Sequence, residues 1–334
     1  EIPLRLVGSE MCIRDRNQSI RSNMKIAFVF PGQGSQSVGM LDAWSDVAAA
    51  TDVVARASQA LGQDLGALIA QGPVEQLNLT TNTQPAMLTA SVAFFAAWRA
   101  AGGRMPDVVA GHSLGEYAAL TAAGSLALED AVRLVRVRAD AMQAAVPVGT
   151  GAMAAILGLD DDAVRAACAS AAQGEVVEAV NFNAPAQVVI AGHKAAVERA
   201  CELAKAAGAK RALLLPVSAP FHSSLLKPAA DVLAGALAGV AVSAPQVPVI
   251  NNVDVASPVE PGAIRDALVR QAWHPVRWVE TLRAMKAQGV THVIECGPGK
   301  VLAGLTKRID PELTGLAITD PASLEAALAA VNGN

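Results

Sequence analysis

The sequence predicts an α/β protein: a large α/β-hydrolase-like domain with a parallel sheet, into which a small ferredoxin-like β-α-β-β-α-β domain is inserted. Three observations carry this. Short apolar runs such as Lys25 to Phe30 alternate with helix-length periodic segments over most of the chain, the signature of a parallel sheet with helices on its faces. Val108 and Val109 lead into Gly111-His112-Ser113-Leu114-Gly115, and a helical run from Glu116 to Ala123 follows at once. Strand, G-x-S-x-G, helix is the context in which a serine sits on a sharp turn with its hydroxyl exposed. Between about 149 and 216 the order changes to strand, helix, two strands, helix, strand, which is the ferredoxin-like order.

Composition narrows the function classes. The chain has 334 residues, 52% of them hydrophobic, enough for a large core in one or two domains. A net charge of −4 leaves no electrostatic footprint for nucleic acid. The best apolar run, Val232 to Val242, is too short for a membrane span. Cys12, Cys168, Cys201 and Cys296 are scattered without a C-x-x-C pair, which fits reduced thiols and a cytoplasmic protein. No histidine or cysteine pair has zinc-ligand spacing, so no metal is expected.

In chain order, residues 1–23 lack periodicity and a signal-peptide core and read as a non-native or disordered leader, with Met24 the natural start. The large domain is expected over 24–148 and 217–334 and the small one over 149–216. Lys25 to Phe30 reads as a strand buried on both faces, ending in the loop Pro31-Gly32-Gln33-Gly34-Ser35-Gln36. No Gly-Lys-Ser/Thr follows, so this is no Walker loop; its glycines leave the Gln33 backbone N–H open to an oxyanion, or simply make a tight turn. Helices fit about 45–62, about 86–101 with Pro85 at or near the start, and about 129–145. In the small domain, strands are expected at 151–159, 176–181, 187–191 and 211–217, with a turn at Asn183-Ala184-Pro185 and helices from Asp160 to about 172 and over 194–207. The α/β pattern resumes with helices at about 224–238, 262–272, 276–288 and 321–331, and strands at 247–250, 290–294 and 316–319.

A serine nucleophile needs a base within hydrogen-bond reach. Of five histidines, His112 adjoins Ser113 and should be pointed elsewhere by the turn; His193 falls in a turn, and His292 alternates with Val290 and Ile294 as a core residue would. His274 lies between two helical runs. His222 follows a proline-stiffened segment, Pro216 to Phe221, just beyond the small domain's last strand, where the chain returns to the cleft. No acid near it offers a third triad member, which leaves a backbone or amide carbonyl to orient the ring. Arg138 is the other clue. Its helical neighbours are Leu134, Val135, Ala141 and Met142, and an arginine in an apolar stripe needs a partner. Either it pairs with an internal carboxylate or snorkels its charge to solvent, or its partner is the carboxylate of a substrate.

Phe30-Pro31-Gly32-Gln33-Gly34-Ser35-Gln36, Gly111 to Tyr117, Asn181-Phe182-Asn183-Ala184-Pro185 and Phe221-His222-Ser223 occur in that order. Together they resemble the malonyl-CoA:acyl carrier protein transacylases and the related acyltransferase domains of polyketide synthases, from about Met24 to the C-terminus. The resemblance implies Ser113 as nucleophile, His222 as its base, and the backbone amides of Gln33 and Leu114 as the oxyanion hole. It implies Arg138 as the malonyl carboxylate partner, Phe221 as a malonyl-selective neighbour, and a carbonyl of Gln271 orienting His222 in place of an acid. Malonyl-CoA and acyl carrier protein are the implied partners, with fatty acid synthesis as the pathway, no cofactor of its own, and a monomeric state. The rivals are a stand-alone polyketide-type acyltransferase, a serine esterase sharing the same serine turn, and a non-catalytic carrier-docking scaffold.

Overall fold

The computed structural model describes residues 24–217 and 219–332. The expected leader, residues 1–23, and Cys12 within it lie outside the described residues.

The chain opens with β1 (Lys25–Phe30), followed by helices α1 (Ala48–Leu61), α2 (Leu65–Gln71), α3 (Val74–Leu77) and α4 (Thr80–Ala100). Then come β2 (Val108–Gly111), α5 (Gly115–Ala122), α6 (Leu128–Ala144), β3 (Gly151–Leu157), α7 (Asp161–Ala172), β4 (Val177–Ala184), β5 (Gln187–His193), α8 (Lys194–Ala206) and β6 (Arg211–Leu214). The remainder is α9 (Lys227–Ala238), β7 (Val249–Ile250), α10 (Pro261–Gln271), α11 (Trp278–Ala287), β8 (Val290–Cys296), α12 (Val301–Ile309), β9 (Thr314–Ile318) and α13 (Pro321–Asn332).

Two sheets result. Strands β7-β2-β1-β8-β9 form a parallel sheet, and β4-β5-β3-β6 form an antiparallel one. Five of the six β1 residues are buried, as expected for a strand covered on both faces. The parallel register places Phe30 beside Gly111 and Ala110 beside Ile250. The loops after β1, β2 and β7 therefore leave the sheet side by side, at the carboxyl ends where α/β crevices form.

Several boundaries correct the sequence reading. The helix expected from about 86 starts at Thr80, so Pro85 lies inside it. Proline lacks the N–H that would reach the carbonyl of Thr81, and the Arg136 side chain takes up that carbonyl through Nε at 2.8 Å. A tertiary donor thus replaces the local one, which no local pattern announces. The 45–62 helix begins at Ala48, after a 3-10 turn at Asp42–Trp44, and the short helices α2 and α3 were not anticipated. Strand β4 runs on through Asn183 and Ala184, and the chain turns at Pro185 and Ala186, whose φ is 57°. Strand β6 stops at Leu214, three residues before the expected end.

Candidate active site

Ser113 owes its position to glycines on both sides. A Cβ on Gly111 would lie 1.8 Å from the carbonyl carbon of Gly115, and one on Gly115 would lie 2.0 Å from the Phe30 oxygen. Only glycine lets strand, helix and the neighbouring β1 end approach so closely. Ser113 itself has φ 54°, a left-handed conformation that a non-glycine residue holds only when its surroundings enforce it. Asn252 supplies that enforcement. Its Oδ1 accepts from the Ser113 N–H at 2.7 Å, and its Nδ2 donates to the Gly111 oxygen at 2.7 Å. Glu116, the second residue of the helix, accepts from the Asn252 N–H at 2.9 Å and from Gln271 Nε2 at 3.0 Å.

Four of the five histidines are engaged away from the serine. His112 Nε2 meets Asn183 Oδ1 at 2.8 Å, so the turn points it away as expected, although it lines the same cavity. His193 Nδ1 accepts from the Val176 N–H, His274 Nδ1 meets the Arg270 oxygen, and His292 pairs with Thr291. His193 ends strand β5 rather than lying in a turn. His222 is the histidine at the serine: Nε2 lies 2.7 Å from Ser113 Oγ. Its Nδ1 lies 2.9 Å from the backbone oxygen of Gln271, which fixes the tautomer with the proton on Nδ1 and leaves Nε2 as acceptor. His222 also has a positive φ, 66°. Burial, and then the positive charge of Arg138, push its pKa down to about 3, so the ring is neutral at physiological pH.

Arg138 is 2% exposed. Nη1 donates to Gln84 Oε1 at 2.8 Å, and Nη2 lies 3.1 Å from both Gln271 Oε1 and Ser113 Oγ. The guanidinium sits 5.5 Å from the centre of the Tyr117 ring. Nε has no hydrogen-bond partner among the described residues, and no carboxylate among them comes within 4.0 Å of the side chain. The internal ion pair that the sequence left open is absent among the described residues. The buried Glu116 acts on Arg138 electrostatically without an ion-pair contact; burial raises its pKa to about 7.

Gln33, Leu114, Arg138, Phe221, His222 and Ser113 all line one cavity of about 570 Å³, the size of a small-molecule site. Among the described residues neither the Gln33 nor the Leu114 backbone N–H donates to a protein acceptor. Phe221 bridges the apolar clusters of the two sheets. Gln271 reaches the site twice: its backbone oxygen holds His222, while its side chain donates to the Ser113 oxygen at 2.8 Å and accepts from Arg138. Among the described residues no group of three or more metal-ligating side chains is assembled, and no helix is long and apolar enough to cross a membrane.

Residues 27–309 match the family model described as the acyl transferase domain. The chain belongs to the acyl transferase family. Within that family it is 59% identical over 308 residues to the malonyl CoA-acyl carrier protein transacylase of Escherichia coli K12, covering 91% of this chain and 99% of that one. An acyl-carrier-protein S-malonyltransferase structure from Burkholderia pseudomallei is 68% identical, with a TM-score of 0.90 and 91% and 99% of the two chains covered. A chain from the structure of a type II polyketide-synthase acyl-carrier protein in complex with its malonyl-transacylase matches with a TM-score of 0.90 at 54% identity, again over 91% and 99%. Sequence reasoning had not assigned a role to Asn252, Gln84 or Glu116, which hold this candidate site together. The signal for Asn252 was its place just after a short strand of the parallel sheet. Gln84 was obscured by the assumption that Pro85 began the helix.

Proposed function

We propose that this acyltransferase moves a malonyl group from malonyl-CoA to the phosphopantetheine thiol of acyl carrier protein, supplying fatty acid synthesis. The observation that carries the reading is Arg138: a buried cation, held by neutral acceptors, 3.1 Å from the Ser113 hydroxyl. A free carboxylate on the acyl group would complete its charge pairing. Transacylase relatives of high identity support the same assignment.

On this reading Ser113 is the nucleophile and His222 its base. The hydroxyl proton passes to His222 Nε2 as Ser113 Oγ bonds to the thioester carbon. The backbone N–H groups of Gln33 and Leu114 stabilise the oxyanion; one such donor is worth about 3–4 kcal/mol. The carbon–sulfur bond breaks, CoA leaves with the proton from His222, and malonyl-Ser113 remains. The carrier thiol then attacks the ester, giving its proton to the same imidazole, which returns it to Ser113. Phe221 lines the same cavity and would pack beside the acyl group. The Gln271 backbone oxygen stands where a triad acid would and steadies the imidazolium formed in each half-reaction.

The chain's own groups suffice for each step, without a bound cofactor or metal. We read the chain as a monomer of the cytoplasm; the reduced, buried thiols of Cys168, Cys201 and Cys296 suit that compartment. We take 24–148 and 217–334 as a hydrolase-like catalytic domain and 149–216 as a ferredoxin-like insert. The strand order β4-β5-β3-β6 supports the latter, as does a separate apolar cluster within that segment. The complex of a related malonyl-transacylase with a polyketide carrier favours a second reading of the partner alone.

The test is intact-mass spectrometry. Protein mixed with malonyl-CoA should gain one malonyl group and lose it on adding either fatty acid or polyketide holo-carrier, which ranks the two carriers by rate. Ser113→Ala should gain none. Release of free malonate without thiol transfer would instead support the esterase reading.

A further inference from the structure

We propose that Gln84 is a specificity-determining residue: its side-chain carbonyl fixes the Arg138 guanidinium while leaving the cation's charge for the substrate's carboxylate. The proposal rests on the reading of Arg138 as the malonyl partner and deepens it.

Gln84 is the fifth residue of α4 and is 1% exposed, yet it lines the cavity. Its amide is oriented by its surroundings. Oε1 accepts from Arg138 Nη1 at 2.8 Å, whereas Nε2 faces only the thioether of Met142 at 3.9 Å. Reversing the amide would aim two donors at a cation, so the oxygen belongs where it is. Gln271 Oε1 holds the other terminal nitrogen at 3.1 Å. With both ends of the fork tied, the guanidinium plane cannot swing; Nη1 keeps a second N–H for a ligand, while the second N–H of Nη2 is directed at Ser113 Oγ, 3.1 Å away. Both anchors are neutral. An aspartate or glutamate at either place would orient the arginine equally well, but it would also neutralise it. A buried cation already paired has little further attraction for a carboxylate, and the arriving carboxylate would meet a like charge. Gln84 thus lets the site be pre-organised and electrostatically unsatisfied together.

Two substitutions separate holding from neutralising. Gln84→Glu keeps the shape and adds a charge; Gln84→Met keeps the volume and deletes the acceptor. The measurement is kcat/KM for malonyl-CoA and for acetyl-CoA in the intact protein, for the wild type, both variants and Arg138→Ala, with folding checked by circular dichroism. Gln84→Glu should lower the malonyl-to-acetyl ratio by at least about 30-fold, the size of a lost buried charge pair. Gln84→Met should lower it by about tenfold, the size of one hydrogen bond to a charged group. A ratio unchanged in Gln84→Met, or in a folded Gln84→Glu, while Arg138→Ala collapses it, overturns the role of Gln84 and leaves Arg138 in place. A ratio unchanged in Arg138→Ala overturns the underlying reading instead.

Discussion

At the scale of single residues, the site is governed by where protons rest. Burial and the Arg138 charge hold His222 down at about 3, so its Nε2 carries no proton in the neutral range and is open to act as the proposed base. The acid limb of kcat/KM, which reports the free enzyme, should therefore lie below pH 5 rather than at the ordinary imidazole value of about 6.5. A limb near pH 7 belongs to Glu116, whose pKa burial raises to about 7, and Glu116→Gln should remove it. A limb at 6.5 that survives Glu116→Gln would show that His222 titrates normally. Stability follows with opposite signs. The unfolded chain protonates an ordinary imidazole below about pH 6.5, while native His222 stays neutral down to about 3. Its contribution to stability thus falls as pH drops through that window. Native Glu116 and Glu295, both raised to about 7 by burial, hold protons that the unfolded chain has released. Their contribution falls as pH rises from about 4.5 to 7.

At the scale of elements, the serine turn is a steric solution. Gly111→Ala pushes a methyl to 1.8 Å from the backbone of the helix start, and Gly115→Ala to 2.0 Å from the backbone at the end of β1. Each should cost at least about 3 kcal/mol, beyond ordinary overpacking, and show as a large drop in Tm or in soluble yield. Gly262→Ala, with nothing within 4 Å of the added methyl, serves as the control and should leave Tm unchanged or higher. The turn was legible in the sequence because its demands are local: two glycines, a serine and flanking apolar runs fall within a few residues. The prolines before His222 pointed to it without excluding His274, and the family resemblance supplied the choice. Asn252, Gln84 and the Gln271 side chain were not, since their roles exist only once β7, α4 and α10 converge on β2. The helix start at Thr80 was missed for the same reason. The carbonyl that Pro85 leaves unpaired is taken by Arg136, 55 residues away, and no local propensity contains that bond.

At the scale of the whole molecule, the two sheets are stitched together by the segment that also carries Gln271. Five residues after Gln271, Val276 accepts from the Phe182 N–H at 3.0 Å and donates to the Val180 oxygen at 2.8 Å. From the other side of the cleft, Glu178 on β4 accepts from the Ser224 N–H and hydroxyl at 2.7 and 2.8 Å, two residues after His222. Lifting the antiparallel sheet therefore disturbs both partners of the His222–Gln271 bond. Native-state hydrogen exchange should show Phe182 and Val276 opening together, with less protection than Phe28 in the middle of β1. Independent exchange at the two positions would mean that the stitch is not cooperative. One last feature bears on the company this enzyme keeps. Each proposed catalytic cycle brings a thioester to the cavity, and an accessible cysteine thiolate would attack its carbonyl carbon, expel the thiol and carry off the acyl group. Cys168, Cys201 and Cys296 are buried and free. Burial pushes Cys168 up to about 12, raises Cys201, and raises Cys296 well above the usual thiol range. These three sulfurs stay protonated and out of reach, so the fold is chemically deaf to the reactive groups that its substrates carry past it.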